Sequence, residues 1–165
     1  MKQMQTNVVI LGGGIVGSLL ALILGLNGMK IILIDKQSSG QLNSNSYDGR
    51  SYAINNGSQK LLTILNIWDE IKDKVQIVTS IILQQGINAL NPQPFDLNFF
   101  GNEINNSNIF SMVEDRFLRR TILKHVQKCS NIQHFTSTTV IGQKILKGFA
   151  EITLSDKKKI KANLI

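Results

Sequence analysis

Three glycines in the spacing Gly12-x-Gly14-x-x-Gly17, set inside an apolar run from Val8 to Leu26, constrain this chain more than any other feature. Val8, Val9 and Ile10 are β-branched and favour a strand. Gly12, Gly13 and Gly14 interrupt any helix that would continue from them. Strand, tight turn, then helix is the order that explains these residues. Gly12 permits the turn, Gly14 lets the backbone come close to a pyrophosphate, and Gly17 lets the helix lie tightly against the sheet. The helix N-terminus, with unpaired N–H groups and the positive end of its dipole, then stabilises phosphate charge without a lysine. Ala21 and Leu24 fall on one face of that helix, and Gly28 suits the left-handed residue that ends it.

A hydropathy window would read the same run, preceded by Lys2, as a membrane span or a signal sequence. A span requires one unbroken helix, which three adjacent glycines oppose. A signal peptide requires small residues at a cleavage site, whereas the run ends in Leu26-Asn-Gly-Met29 and returns at once to apolar residues. Ile31 to Ile34 form that second, buried strand. It ends in Asp35, 23 positions beyond Gly12, against ~20 in dinucleotide-binding units. A carboxylate there accepts hydrogen bonds from the adenosine ribose hydroxyls and repels the extra phosphate of an NADP-type ligand. The candidate cofactor-binding set is therefore Gly12, Gly13, Gly14, Ile15, Val16, Gly17, Asp35 and Lys36. The fold class expected is α/β, a Rossmann-like βαβ unit. The fingerprint does not separate FAD from NAD, because both present the same adenosine diphosphate.

Beyond a polar loop, Gln37 to Tyr47, lies Asp48-Gly-Arg-Ser-Tyr-Ala-Ile54. A helix is predicted from Ser58 and Gln59 through Leu61, Leu62 and Leu65, completed by Trp68 to Ile71. Val75 to Phe100 reads as strand-rich, with Pro92, Pro94, Phe95, Phe99 and Phe100 more suited to a core than to substrate contact. Met112-Val-Glu-Asp-Arg-Phe-Leu-Arg-Arg-Thr-Ile-Leu123 reads as a helix with an acidic start. Short strands follow at Ile132 to Phe135, Thr138 to Leu146, Phe149 to Leu154 and Ile160 to Ile165, with a hairpin across Lys147-Gly148 and a turn at Lys157, Lys158 and Lys159.

Taken in this order, the glycine fingerprint, Asp48-Gly-Arg50 and the segment from Met112 to Leu123 resemble the FAD-dependent hydroxylases of ubiquinone biosynthesis, of the 2-octaprenyl-6-methoxyphenol hydroxylase type. Those enzymes are in turn similar to p-hydroxybenzoate hydroxylase. The resemblance runs along the whole chain and implies FAD as cofactor, with NAD(P)H as electron donor and a prenylated phenol as substrate. It implies that Arg50 lies against the flavin cofactor and that Arg116 sits near its pyrophosphate side. Read without the resemblance, Arg50 is a loop cation and Arg116 belongs to a charged helix face with Glu114, Asp115, Arg119 and Arg120. Asn66 stands where the family has glycine, and Asn tolerates the left-handed conformation.

The resemblance divides the chain into residues 1–74, binding the adenosine diphosphate; residues 75–110, the start of a substrate-domain sheet; and residues 111–165, a return helix and β-meander. The family's later Asp-Gly and Gly-Asp flavin motifs fall beyond Ile165, so the chain reads as a truncated N-terminal portion. The alternative is a non-catalytic dinucleotide-binding remnant.

Other chemistries find little support. Cys129 is the lone cysteine, so no internal disulfide forms, which suits a reducing, cytoplasmic setting. His125 and His134 lack metal-ligand spacing. No Ser/His/Asp or paired-carboxylate arrangement argues for a catalytic side chain. The net charge of +7 comes from scattered lysines and does not mark a nucleic-acid partner. A peripheral location on the inner membrane face, or contact within a biosynthetic complex, follows from the resemblance alone, and a transmembrane span is not expected.

Overall fold

The computed structural model describes residues 4–84, 96–104 and 108–165. They divide into two compact units, one of Met1–Ser46 with Leu118–Ile165 and the other of Tyr47–Phe117. In chain order the first unit begins with β1 (Met4–Leu11), α1 (Ile15–Leu26), β2 (Ile31–Ile34) and the single-turn α2 (Ser39–Leu42). The second unit contains β3 (Ser51–Ile54), α3 (Asn56–Ile64), α4 (Trp68–Ile71), β4 (Val75–Val78), β5 (Ser80–Leu83), β6 (Leu97–Phe100) and β7 (Phe110–Glu114). Helix α5 (Asp115–Lys128) opens in the second unit and from Leu118 belongs to the first. The first unit then closes with β8 (Ile132–Phe135), β9 (Val140–Leu146), β10 (Phe149–Leu154) and β11 (Lys159–Leu164).

The first unit is built on a six-stranded sheet in the order β8-β2-β1-β11-β10-β9. The pairs β8/β2, β2/β1 and β1/β11 are parallel, while β10 runs antiparallel to both its neighbours. Leu11 pairs with Ile34, and Ile34 with Phe135, so three parallel strands end level. The segments leaving them start from one edge, the carboxyl edge where open α/β sheets receive ligands. All four residues of β2 are buried, as a parallel strand covered on both faces requires. On one face Val9, Ile32 and Ile34 pack with Ile152, Leu154, Ile160 and Ala162. On the other lies α1, which buries Ser18, Ala21, Leu22 and Gly25 along a single helical stripe.

Close approach of α1 to the sheet is set by its small residues. A β-carbon on Gly17 would collide with the Gly12 carbonyl oxygen, and one on Gly25 would stand 2.8 Å from Ile132 Cγ1. The helix ends as its sequence prescribes. Gly28 adopts φ +84°, and the Met29 and Gly28 N–H groups donate to the carbonyls of Leu24 and Gly25 at 3.1 Å each, a Schellman stop. The apolar run is thus a strand, a turn and a twelve-residue helix. No helix among the described residues is long and apolar enough to cross a membrane.

The meander follows the sequence reading with small shifts of boundary. Strand β9 begins at Val140 rather than Thr138, because Ser137 takes φ +51° and the Thr138 N–H donates to the Asp35 carbonyl at 2.9 Å. Strand β11 runs Lys159–Leu164 rather than Ile160 to Ile165. Lys157, at φ +67°, occupies the turn, while Lys159 joins the strand and pairs with Glu151 at 2.8 Å.

In the second unit β7 pairs antiparallel with both β3 and β4, and β5 pairs with β6. The helix predicted as one piece from Ser58 to Ile71 is two. It breaks at Asn66, which takes φ +57°, a conformation that asparagine tolerates where most residues do not. Helix α3 starts earlier than predicted because the Asn55 side chain caps it, accepting the Ser58 N–H at 2.8 Å. Met112 to Glu114 belong to strand β7, and helix begins only at Asp115. The alternation Ser111 buried, Met112 half-buried, Val113 buried has a period of two, which shows that strand burial won over helical propensity there. Phe99 and Phe100, expected in a core, are exposed on β6; Pro92, Pro94 and Phe95 lie outside the described residues.

Leu33 has no exposed surface and sits between β1 and β8. We expect Leu33→Ala to lower unfolding stability by about 2–5 kcal/mol in urea titration, the cost of lost transfer energy plus a cavity. A loss below about 1 kcal/mol would show that the sheet centre is not the core.

Candidate functional site

The glycine turn begins where β1 ends. Gly12 takes φ +109°, open to glycine and strained for other residues, and its N–H donates to the Ile34 carbonyl at 2.8 Å. Gly13 is buried. Its N–H donates to Asp35 Oδ2 at 2.6 Å, and its carbonyl accepts from Ser18 Oγ at 2.9 Å. Gly14 is extended and stands at the N-cap of α1 with no side-chain cap. The Ser18 N–H donates to the Gly14 carbonyl at 2.9 Å, the first helical bond. The N–H groups of Ile15, Val16 and Gly17 therefore have no acceptor within the helix, and no acidic side chain lies in its first turn. A β-carbon on Gly14 would meet nothing within 4 Å. Open space beside an uncapped helix N-terminus is what a diphosphate requires.

Asp35 leaves β2 at the same edge. It is only 8% exposed, and its two oxygens are each tied once: Oδ2 to the Gly13 N–H and Oδ1 to the Gln37 N–H, both at 2.6 Å. An ionised carboxylate accepts in about four directions, so acceptor capacity remains for hydroxyl donors. Its main chain is clasped by the end of β8 and the segment that follows, donating to the Phe135 carbonyl at 2.8 Å and accepting from the Thr138 N–H at 2.9 Å. The structure thus brings Gly12, Gly13, Gly14, Gly17 and Asp35 together, with Ile15 half-buried and Val16 and Lys36 exposed beside them.

His134 is a neighbour that sequence reading passed over. It pairs with Leu33 across β8 and β2. A β-carbon on Gly13 would lie 3.1 Å from His134 Nε2 and 3.2 Å from Asp35 Oδ2. The absence of a side chain at Gly13 therefore makes room for both. Nε2 is buried and has no hydrogen-bond partner among the described residues. Burial pushes the His134 pKa below its ordinary value of 6.5, with the Asp35 carboxylate acting more weakly in the opposite direction. The only sequence signal for this contact was the paired register of two strands far apart in the chain.

Arg50 and Arg116 belong to the second unit, and each is already paired there. Arg50 donates from Nε to Asp48 Oδ2 at 2.8 Å, and its Nη2 lies 3.4 Å from Asp115 Oδ2. Arg116 donates to Glu114 at 2.5 Å and stacks over Phe117 with its guanidinium carbon 4.7 Å from the ring centre. Arg119, read from sequence as part of a charged face, is buried in the first unit and donates to the carbonyls of Gln41 and Leu42, fixing the polar loop after β2. Among the described residues no group of three His, Cys, Asp or Glu side chains forms a metal site.

A family model described as FAD binding domain matches residues 5–148. Among curated proteins the chain is 28% identical over 159 residues to the ubiquinone hydroxylase UbiL of Rhodospirillum rubrum, with 96% of this chain and 36% of that protein covered. It is 26% identical over 182 residues to the ubiquinone biosynthesis monooxygenase COQ6 of Dictyostelium discoideum, again covering 96% and 36%. The chain thus spans little more than a third of the length of these relatives. Among solved structures, the p-nitrophenol 4-monooxygenase PnpA of Pseudomonas putida matches with TM-score 0.73 and 16% identity, over 99% of this chain and 40% of that one. That likeness establishes a shared fold.

Two outcomes test this geometry. Gly13→Ala should cost about 1–3 kcal/mol of stability by forcing Asp35 and His134 apart, and His134→Ala should restore part of it; no loss on the first change would contradict the packing. His134 has a folded pKa below its unfolded value, so the unfolded chain binds the extra proton more readily. Its contribution is complete above about pH 6.5 and is lost as the pH falls from there. Urea midpoints measured from pH 7.5 down to pH 5 should fall more steeply for the unmodified chain than for His134→Gln. Equal slopes would refute this.

Proposed function

We propose, from the premise that this chain belongs to the FAD binding domain family, that it is the FAD-binding part of a flavin-dependent monooxygenase that hydroxylates a polyprenylated phenol in ubiquinone biosynthesis. The observation that carries the reading is the uncapped N-terminus of α1, open at Gly14, with the Asp35 carboxylate tied to the same turn through Gly13. These residues fit an adenosine diphosphate on their own chemistry. The free N–H groups of Ile15, Val16 and Gly17 hold the diphosphate, since backbone donors at a helix start favour anions. Asp35 accepts from the ribose hydroxyls, its remaining lone pairs directed by the two backbone bonds it already makes.

FAD supplies the redox chemistry when bound, and the protein supplies binding and orientation. On the family resemblance Arg50 and Arg116 also serve the cofactor, and NAD(P)H serves as electron donor of the whole enzyme. The hydroxylase names carried by UbiL and COQ6 support the substrate class. A polyprenyl tail partitions into lipid, which favours a protein that meets the membrane face peripherally.

Titration of the chain with FAD, followed by flavin fluorescence, tests the reading. Gly14→Val should fill the space the diphosphate needs, and Asp35→Ala should remove the ribose acceptor and the tether of Gly13. We expect each to weaken binding by roughly tenfold or more, the loss of one or more charge-assisted hydrogen bonds. Unchanged affinity in both variants would place the ligand elsewhere.

A further inference from the structure

The outward face of the meander in the first unit gathers lysines that lie scattered along the sequence. Strand register fixes which positions share that face. Glu151 stands opposite Lys144 of β9 and Lys161 of β11, Thr153 opposite Gly142 and Lys159, and Phe149 opposite Leu146. The alternate positions Ala150, Ile152, Leu154, Ile160 and Ala162 are buried in the core, whereas none of the outward residues is buried. The outward charges of the three strands are therefore Lys144, Lys159 and Lys161 against one carboxylate, Glu151, which Lys159 meets at 2.8 Å. The connecting turns add Lys147, Lys157 and Lys158, with Asp156 as their one acid, paired to Lys158 at 2.8 Å. On the side toward β1, Lys161 and Lys30 share a cavity of about 370 Å³ with Gln5, Thr6, Asn7 and Asn163, with no carboxylate among the described residues that line it.

At one end this basic face turns apolar. Ile145, 81% exposed, and Leu146, 44% exposed, lead into the turn between β9 and β10, and Phe149 leaves it. Successive strand residues point to opposite sides, so Ile145 and Leu146 offer apolar surface on both sides of the tip. A protein partner laid on the sheet covers one side, whereas hydrocarbon surrounds both. Phe149 is the one aromatic on the outward face, and Lys161 Nζ already lies 3.7 Å from its ring centre, which denies that ring to a nucleic-acid base. Lys144 within the edge strand β9, and the register shift between Thr153 and Leu154, oppose pairing with a further strand. Lysines set behind an apolar tip complement an anionic lipid surface, because ammonium groups stay among headgroups while their stems and the tip enter the acyl boundary. We propose that the outward face of the meander docks on an anionic phospholipid bilayer, with the β9–β10 tip inserted and Lys30, Lys144 and Lys161 against the headgroup phosphates. The proposal names a face for the peripheral contact in the reading above, rests on that face's own charge and exposure, and shares no residue with the adenosine site. Vesicle and FAD titrations therefore succeed or fail independently.

The experiment floats the whole chain with vesicles of phosphatidylcholine alone and of phosphatidylcholine with phosphatidylserine in equal parts. We expect binding to the mixed vesicles and little to phosphatidylcholine alone. Binding should fade as salt rises from about 0.1 M to 1 M, since the Debye length falls from about 10 Å to 3 Å. Lys144→Ala and Lys161→Ala should each lower partitioning about fivefold, the scale of one lysine at an anionic surface, and Lys144→Arg, which keeps the charge, should bind as the unmodified chain does. Ile145→Ser should lower partitioning roughly tenfold by removing buried apolar area, with the salt dependence unchanged. Lys72→Ala, an exposed lysine of the second unit, should change nothing. Urea midpoints establish that each variant folds; if Lys161→Ala does not, Lys144→Ala and Ile145→Ser carry the test. Equal binding to both vesicles, binding to neither, or losses no larger than that of Lys72→Ala would overturn the proposal. So would a single-stranded oligonucleotide that displaces the chain from mixed vesicles, or a concentration-dependent dimer abolished by Ile145→Ser, which would assign the face to nucleic acid or to a second copy.

Discussion

The 2.6 Å bond from the Gly13 N–H to the Asp35 carboxylate joins the two pieces on which the first unit's site depends. It ties the turn after β1 to the residue that ends β2, so the helix tip and the acid at the strand end keep one spacing. A buried carboxylate with no donors would be costly, and here two backbone N–H groups satisfy it. The same bond explains why the middle glycine is as constrained as its neighbours. Gly12 answers to backbone conformation and Gly17 to helix packing, whereas Gly13 answers to the side chains of Asp35 and His134 behind it.

The level ends of β1, β2 and β8 make that bond available. Parallel register sets Leu11, Ile34 and Phe135 side by side, and each following residue inherits the alignment. The segment after Phe135 then closes on Asp35 through Thr138, and Ser137 closes on Gln37 at 2.9 Å. Placement of the acid is therefore a property of three strands rather than of the strand that carries it. Helix α1 contributes by lying close, which Gly17 and Gly25 permit and a β-carbon at either would prevent.

Charge is handled differently in the two units. In the first, α1 opens with uncapped backbone donors and carries no charged side chain, so its N-terminus offers an anion oriented dipoles alone. In the second, Arg50 and Arg116 are held by carboxylates, and neither is a free cation. A sequence scan that counts arginines as phosphate ligands overlooks this, because their partners include residues up to 65 positions away.

The order strand, glycine turn, helix, strand and acid is written in the residues, since conformational preference and burial act on neighbouring residues and are legible locally. So are the meander, whose alternating burial and turn residues are equally local, and the left-handed stop at Gly28. Packing set what Asp35 touches, that His134 stands behind Gly13, that Arg119 is buried in the polar loop's carbonyls, and that Met112 to Glu114 pair as a strand before α5 begins. Each of these depends on strand register or on side chains distant in the chain, and no propensity of a single residue encodes which partner the sheet will bring beside it.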